Sequence, residues 1–248
     1  MGLFDSGVGG LSVWREVVKL LPREHTAYYA DSAYCPYGQR PAGEIIERCD
    51  RIMDFLIGQQ QCKLVVVACN TATAAAIGHL RAAYPVPFVG MEPAVKPAAF
   101  HSVTGVVGVL ATQGTFKGRL YHETLERFAG HVQIIEQTGD GLVELVENGD
   151  TGSKEAQALL EKYIRPMLHA NMDHLVLGCT HYPFLIPAIR KITGSGVTIL
   201  DPAPAVAQRI KFLLAQDHLF NTSGDEARHE FFSSGDMKAL QRLLTEIR

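Results

Sequence analysis

The sequence contains no CxxC pair, no basic run longer than two residues, and no GxGxxG or GxxxxGKS/T loop. No uncharged apolar run reaches the roughly 18 residues of a membrane helix. These absences exclude a cysteine-pair zinc or redox motif, a polyanion-binding tail, the two common nucleotide loops and an α-helical membrane span. The five cysteines are an odd number. MGLFDSGVGG has neither a charged n-region nor an apolar h-region, so a secreted disulfide framework is not expected and the chain reads as cytoplasmic with free thiols. The letters MGLFDS fit a myristoylation pattern, but they read better as a buried strand entering a loop. Asn221-Thr222-Ser223 is a glycosylation sequon that carries no meaning without secretion. With 23 Lys+Arg against 26 Asp+Glu, the net charge of −3 gives no reason to expect a nucleic-acid partner.

What is present is a core-forming composition, 47% apolar over 248 residues, enough for one large or two small domains. Short apolar runs alternate with longer helical patterns, the signature of parallel α/β units. Strands are expected at 2–4, 26–30, 64–68, 88–90, 105–110, 132–135, 174–178, 197–200 and 230–232. LVVVA and HLVLG are continuously apolar, as strands covered on both faces should be. Helices are expected at 11–20, 41–57, 71–83, 116–128, 154–169, 205–215 and 237–247. In the second of these, Ile45, Cys49, Ile52 and Leu56 fall on one stripe, which places Cys49 in the core.

The sequence also echoes itself. GLFDSGVGG near the start and GVLATQGT at 108–115 are apolar strands that end in a polar, Gly-containing turn before a helix. VVVACNTATA at 65–74 and LVLGCTHYP at 175–183 are buried strands that end in a small residue, a Cys and a polar cluster. Phe4-Asp5 lines up with Ala111-Thr112 at an offset of about 107, and Cys69 with Cys179 at an offset of about 110, so the offsets agree within a turn. The echo predicts two α/β domains of similar plan with mostly parallel sheets, 1–92 plus 205–248 and 93–204, meeting at the active site. The return crossing would lie at Asp201-Pro202-Ala203-Pro204, with the last helix packed on the first domain. Ligands of open α/β sheets bind beyond the carboxyl ends of strands. Two such ends facing one another would form a cleft with a thiol on each wall.

Cys69 lies between an apolar strand and a helix, where helix N–H groups favour a thiolate; buried structural Cys is the alternative. Cys179 has His181 two residues on, and a nearby base is what activates a thiol. Asp5 is read as meeting a ligand ammonium or serving as a base, and the glycines after it as allowing close approach to a ligand. Ser6 could instead cap the helix at 11–20. Tyr37 and Gly38 sit in a turn or a ligand-lining loop. Cys35 shows no partner and Cys62 reads as structural. No metal site is expected.

Four blocks, FDSGVGGLSV (4–13), YYADSAYCPYG (28–38), VVVACNTATA (65–74) and LGCTHYPFL (177–185), resemble in order and spacing the glutamate racemases of the cofactor-independent aspartate/glutamate racemase superfamily. The resemblance covers nearly the whole chain. It implies that Cys69 and Cys179 are two acid/base thiols, that Asp5 assists Cys69, and that His181 and Glu147 assist Cys179. It also implies that Asp5, Ser6, Tyr37, Gly38, Asn70, Thr71, Thr115, Thr180 and His181 hold the substrate. The segment before the acid reads Thr138-Gly139-Asp140-Gly141 where the family often has Cys-Pro, which leaves Asp140 and Glu144 as competitors of Glu147. The implied partner is glutamate, with aspartate as the alternative substrate, no cofactor, and a homodimer. D-glutamate made this way would serve peptidoglycan synthesis.

Racemisation needs one residue on each face of a planar carbanion. Thiols suit the task because their pKa, about 8.5, lies near neutrality. No Lys stands in a pyridoxal-phosphate context, so charge on the α-carboxylate would be met by donors such as Asn70, Thr71 and Thr180.

Overall fold

A computed structural model describes residues 1–247. Nine strands form two sheets, and every pairing among the described residues is parallel. They are β1 (Gly2–Asp5), β2 (Thr26–Ala30), β3 (Val65–Val67), β4 (Phe88–Val89), β5 (Val106–Ala111), β6 (Gln133–Thr138), β7 (His174–Gly178), β8 (Thr198–Leu200) and β9 (His229–Ser233). The first sheet runs β4-β3-β1-β2-β9, the second β6-β5-β7-β8. Reading the second from its other edge gives β8-β7-β5-β6, so β1 to β4 and β5 to β8 repeat one plan. The sequence echo is therefore a repeat of topology, with β9 added to the first sheet's edge through β2.

Burial follows position in the sheet. The central strands β1, β3 and β7 are buried along their whole length, whereas the edge strand β6 has only exposed and half-buried residues. Apolar residues gain roughly 25 cal/mol per Å² of burial, and the central strands have both faces covered; the two-residue edge strand β4 is buried as well. One core spans the two sheets, joining Leu3 and Val66 to Leu110, Leu175 and Leu177. The helix Ala203–Gln216 follows β8 and packs on the helix Leu11–Leu20. The last helix, Lys238–Ile247, touches that same helix and also reaches the other half, where Arg242 donates to the carbonyl of Glu147 at 2.5 Å.

The nine expected strands are all present within a residue or three of their expected bounds. The helices differ in instructive ways. The one expected at 41–57 is α-helical over Ala42–Met53 and continues as a π-helical turn, Asp54–Gln59. Arg48 on this helix is buried and grips Asp31 at 2.7 and 2.9 Å, and Cys49 is in the core as expected. The helix expected at 116–128 is two, Gln113–Phe116 and Arg119–Phe128, because Gly118 adopts an extended backbone between them. Three further helices were not expected: Val95–His101, Leu142–Asn148 and Ile186–Thr193. The first carries Pro97 and the last Pro187, which read as breakers. The middle one has only seven residues, too few for periodicity to register, and is bounded by Gly141 and Gly149 at φ +83° and +82°.

Candidate active site

The carboxyl ends of β1, β3, β5 and β7 converge, and the loops beyond them line a small, partly open cavity. Cys69 and Cys179 both line it, together with Ser6, Tyr37, Gly38, Asn70, Thr71, Thr180 and His181. Pro36, Thr112 and Val143 complete the wall. Asp5 stands behind Cys69, and Glu147 behind His181.

On the Cys69 side, the sulfur caps the helix Asn70–Ala83, accepting from the Ala72 N–H at 3.4 Å. Ser6 Oγ lies 3.9 Å from it; the cap of the helix at 11–20 is Gly10, so Ser6 is not spent there. Asp5 is fully buried and accepts from the N–H of Gly10 at 2.9 Å and from Thr180 Oγ1 at 3.4 Å. Burial raises the Asp5 carboxyl pKa, opposed in part by His181 and the Cys69 thiol. Burial, and then the Asp5 charge, push the Cys69 thiol well above its ordinary value, more than its helix N–H contact brings it down. Cys69 therefore rests as a neutral thiol beside an unusually basic carboxylate.

The Cys179 side has the opposite character. Cys179 Sγ is 3.8 Å from His181 Nδ1, and His181 Nε2 is 2.7 Å from Glu147 Oε1. Burial works against a charged imidazole here, but hydrogen bonds with Cys179, Cys35 and Glu147 outweigh it and raise the His181 pKa well above the usual value. Glu147 is shifted down: burial opposes its charge, yet His181 and the Val8 N–H, 2.8 Å away, hold it ionised. Of the three candidate acids it is Glu147 that reaches His181; Asp140 and Glu144 line an adjoining depression that shares Pro36, Gly38, Thr112 and Val143 with the cavity wall.

The glycines after Asp5 also make room for side chains of the other half. A Cβ on Gly7 would lie 1.9 Å from Glu147 Oε1, and one on Gly9 would lie 2.3 Å from His181 Nδ1. The bare loop lets Gly7 and Gly9 press against Glu147 and His181 of the other half. Ser12 Oγ donates to the Thr180 carbonyl at 3.0 Å across the same seam, and Thr71 Oγ1 meets Thr112 Oγ1 at 2.8 Å.

Asn70 is 3% exposed, and both polar atoms of its amide are without a hydrogen-bond partner. An amide left so costs about 1–3 kcal/mol, which a ligand carboxylate or ammonium in the cavity would recover. Thr115 does not reach the wall: its hydroxyl is engaged by Thr112 Oγ1 at 2.9 Å and the Gly178 carbonyl at 3.4 Å, and Thr112 faces the cavity in its place. The echo had aligned Thr112 with Asp5, the one signal that could have singled it out. Tyr37 donates to Asp31 at 2.5 Å, so Asp31 and Arg48, neither singled out from sequence, brace the loop that carries Gly38. Cys35 also has a partner that sequence did not show, Glu147 Oε1 at 3.5 Å.

The Asp/Glu/Hydantoin racemase family model matches residues 6–210. The glutamate racemase of Ectopseudomonas mendocina (strain ymp) is 48% identical over 245 residues, 98% of this chain and 92% of that protein. The crystal structure of Escherichia coli glutamate racemase in complex with L-glutamate and the activator UDP-MurNAc-Ala superposes with a TM-score of 0.87 at 36% identity, covering 99% of this chain and 94% of that one. The Francisella tularensis glutamate racemase in complex with D-glutamate gives 0.84 at 26% identity, covering 99% and 92%.

Proposed function

The chain belongs to the Asp/Glu/Hydantoin racemase family, and from that premise we propose that it interconverts L- and D-glutamate with Cys69 and Cys179 as its two acid/base groups. The observation that carries this reading is the pair of thiols on one buried cavity, each backed by a different proton relay. One sulfur, as thiolate, takes the Cα proton, while the other, as thiol, delivers a proton to the opposite face. Asp5, made more basic by burial, accepts the Cys69 proton. His181, kept protonated by Glu147, returns one to Cys179. A positioned acid or base of this kind contributes about 10²–10⁴ in rate. Asn70, Thr71 and Thr180 bind the substrate's polar groups, and the donors among them offset charge on its α-carboxylate in a site closed to water. Ser6, Tyr37, Gly38 and Thr112 shape the remainder of the pocket, with Thr115 acting through Thr112.

The same proposal assigns residues 1–92 with 205–248 to one closing domain and 93–204 to the other. It places the enzyme in the cytoplasm as a homodimer that supplies D-glutamate to peptidoglycan synthesis. No helix among the described residues is long and apolar enough to cross a membrane.

The test is deuterium incorporation at Cα in D2O with separate L- and D-glutamate, run on wild type, Cys69→Ser and Cys179→Ser. Exchange with loss of optical activity in wild type, and loss of racemisation in both variants, is expected. Exchange with aspartate alone would keep the mechanism and change the substrate. No exchange with either amino acid would overturn the reading.

A further inference from the structure

Cys35, Glu147 and His181 are far apart in sequence, yet one sulfur, one carboxylate oxygen and one imidazole nitrogen from them all lie within 4.8 Å of one another. We propose that these three residues form a binding site for a thiophilic divalent cation, zinc by preference, and that its occupation shuts the racemase off. The proposal rests on the two-thiol reading for its consequence and not for the site itself.

The donor set is that of zinc: a sulfur, an imidazole and a carboxylate, leaving a fourth position for water. The geometry is close to what is needed. With metal–ligand bonds of about 2.0–2.3 Å, a tetrahedral site spaces its donors roughly 3.5 Å apart. Cys35 Sγ and Glu147 Oε1 are 3.5 Å apart already. His181 Nε2 and Glu147 Oε1, at 2.7 Å, share a proton that the cation would replace. Supporting contacts hold the ligands in place: the Val8 N–H on the Glu147 carboxylate, and Arg242 on the Glu147 carbonyl. Such outer contacts set ligand orientation. Cys35 and Glu147 are each half-buried whereas His181 is buried, so the site opens on the Cys35–Glu147 side.

Binding expels two protons to solvent, one from the Cys35 thiol and one from His181 Nε2. With Nε2 on the cation and Glu147 drawn away, the imidazole can no longer hold and return a proton to Cys179. Cys35 lines no part of the cavity and carries no proton in the racemisation, so it offers the means to separate the two functions.

The experiment is a titration of the full-length, reduced, metal-free protein with Co²⁺, followed by displacement with Zn²⁺ and by racemase assays under Zn²⁺. Wild type is expected to bind one equivalent with thiolate-to-cobalt charge-transfer absorption in the near ultraviolet. A Cys69→Ser/Cys179→Ser double variant, racemase-dead, is expected to keep that band. Cys35→Ser and Cys35→Ala, checked for folding by circular dichroism, are expected to lose it, to bind Zn²⁺ at least about 10- to 100-fold more weakly, and each to keep the rate it shows without Zn²⁺ at a Zn²⁺ concentration that stops wild type. No band in wild type overturns the site. A band that survives loss of Cys35 but not loss of the catalytic pair also overturns it, by locating the cation between Cys69 and Cys179. Because cobalt binding is read without turnover, failure of the site is distinguishable from failure of the racemase reading.

Discussion

His181 Nε2 and Glu147 Oε1 lie 2.7 Å apart, although 34 residues separate them and β7 with its approach helix intervenes. The pair is buried on the His181 side, and each partner shifts the other: the imidazole pKa rises and the carboxyl pKa falls. Replacing Glu147 with Gln keeps the shape and removes the charge. The His181 proton is then held less tightly. The expected result is a fall in kcat/KM of about 100-fold, the low end for a positioned acid–base group, with the alkaline limb of the pH–rate profile moved to lower pH. An alkaline limb that stays in place would show that Glu147 does not tune His181.

The same pair predicts the pH dependence of stability. A group whose pKa is raised on folding stabilises the chain fully below its unfolded value and ceases to as pH rises through its folded one. For His181 the contribution is complete below about pH 6.5 and is lost on the alkaline side. Asp5, also raised, acts in the same sense from about pH 3.9 upward. Glu147, lowered, works in the opposite sense: its contribution is present above about pH 4.3 and is lost on acidification. Thermal melts should show Tm declining from pH 6.5 into the alkaline range, and His181→Asn should flatten that decline. An unchanged slope would remove His181 as its source.

Gly7→Ala and Gly9→Ala should separate activity from stability. At Gly7 the new methyl meets the far end of a flexible Glu147 side chain, which can swing away and leave His181 without its partner. Activity is expected to fall about 100-fold, and Tm to fall only by what the lost His181–Glu147 pairing contributed. At Gly9 it meets the ring of His181, which is wedged in place. Overpacking of that kind costs about 1–3 kcal/mol, a Tm loss of several degrees at this chain length.

Asn70→Ala should raise KM for glutamate by about 10- to 100-fold, since hydrogen bonds to charged groups contribute roughly 1.5–3 kcal/mol. Its Tm should stay level or rise, because the amide it removes has no partner in the unliganded fold. A clear fall in Tm would show that Asn70 is structural.

The strands were legible because burial on both faces leaves an uninterrupted apolar run, as in VVV and HLVLG, and the two thiols were legible because each follows such a run. The echo was legible because a duplicated plan repeats its punctuation. Less was readable at Leu142–Asn148, where seven residues carry too little periodicity, and at Val95–His101 and Ile186–Thr193, where a proline masks a helix. Among the site residues, Cys69, Cys179, His181, Asn70 and Thr180 stand on the cavity wall. Thr115 does not, because its hydroxyl is taken by Thr112 and Gly178, a competition that only packing reveals.

The sequence by itself determined the parallel α/β class, the repeat, and the two strand ends that carry sulfur, because these are local consequences of hydrophobic period and turn chemistry. Only the tertiary structure decided which acid serves His181, what the bare glycines make room for, and that Cys35 joins the same cluster. Those relationships join residues far apart in the chain, such as Val8 and Glu147, 139 positions apart. Hydrogen-bond reach of about 3 Å leaves no trace in spacing; it exists only once two sheets have been packed end to end.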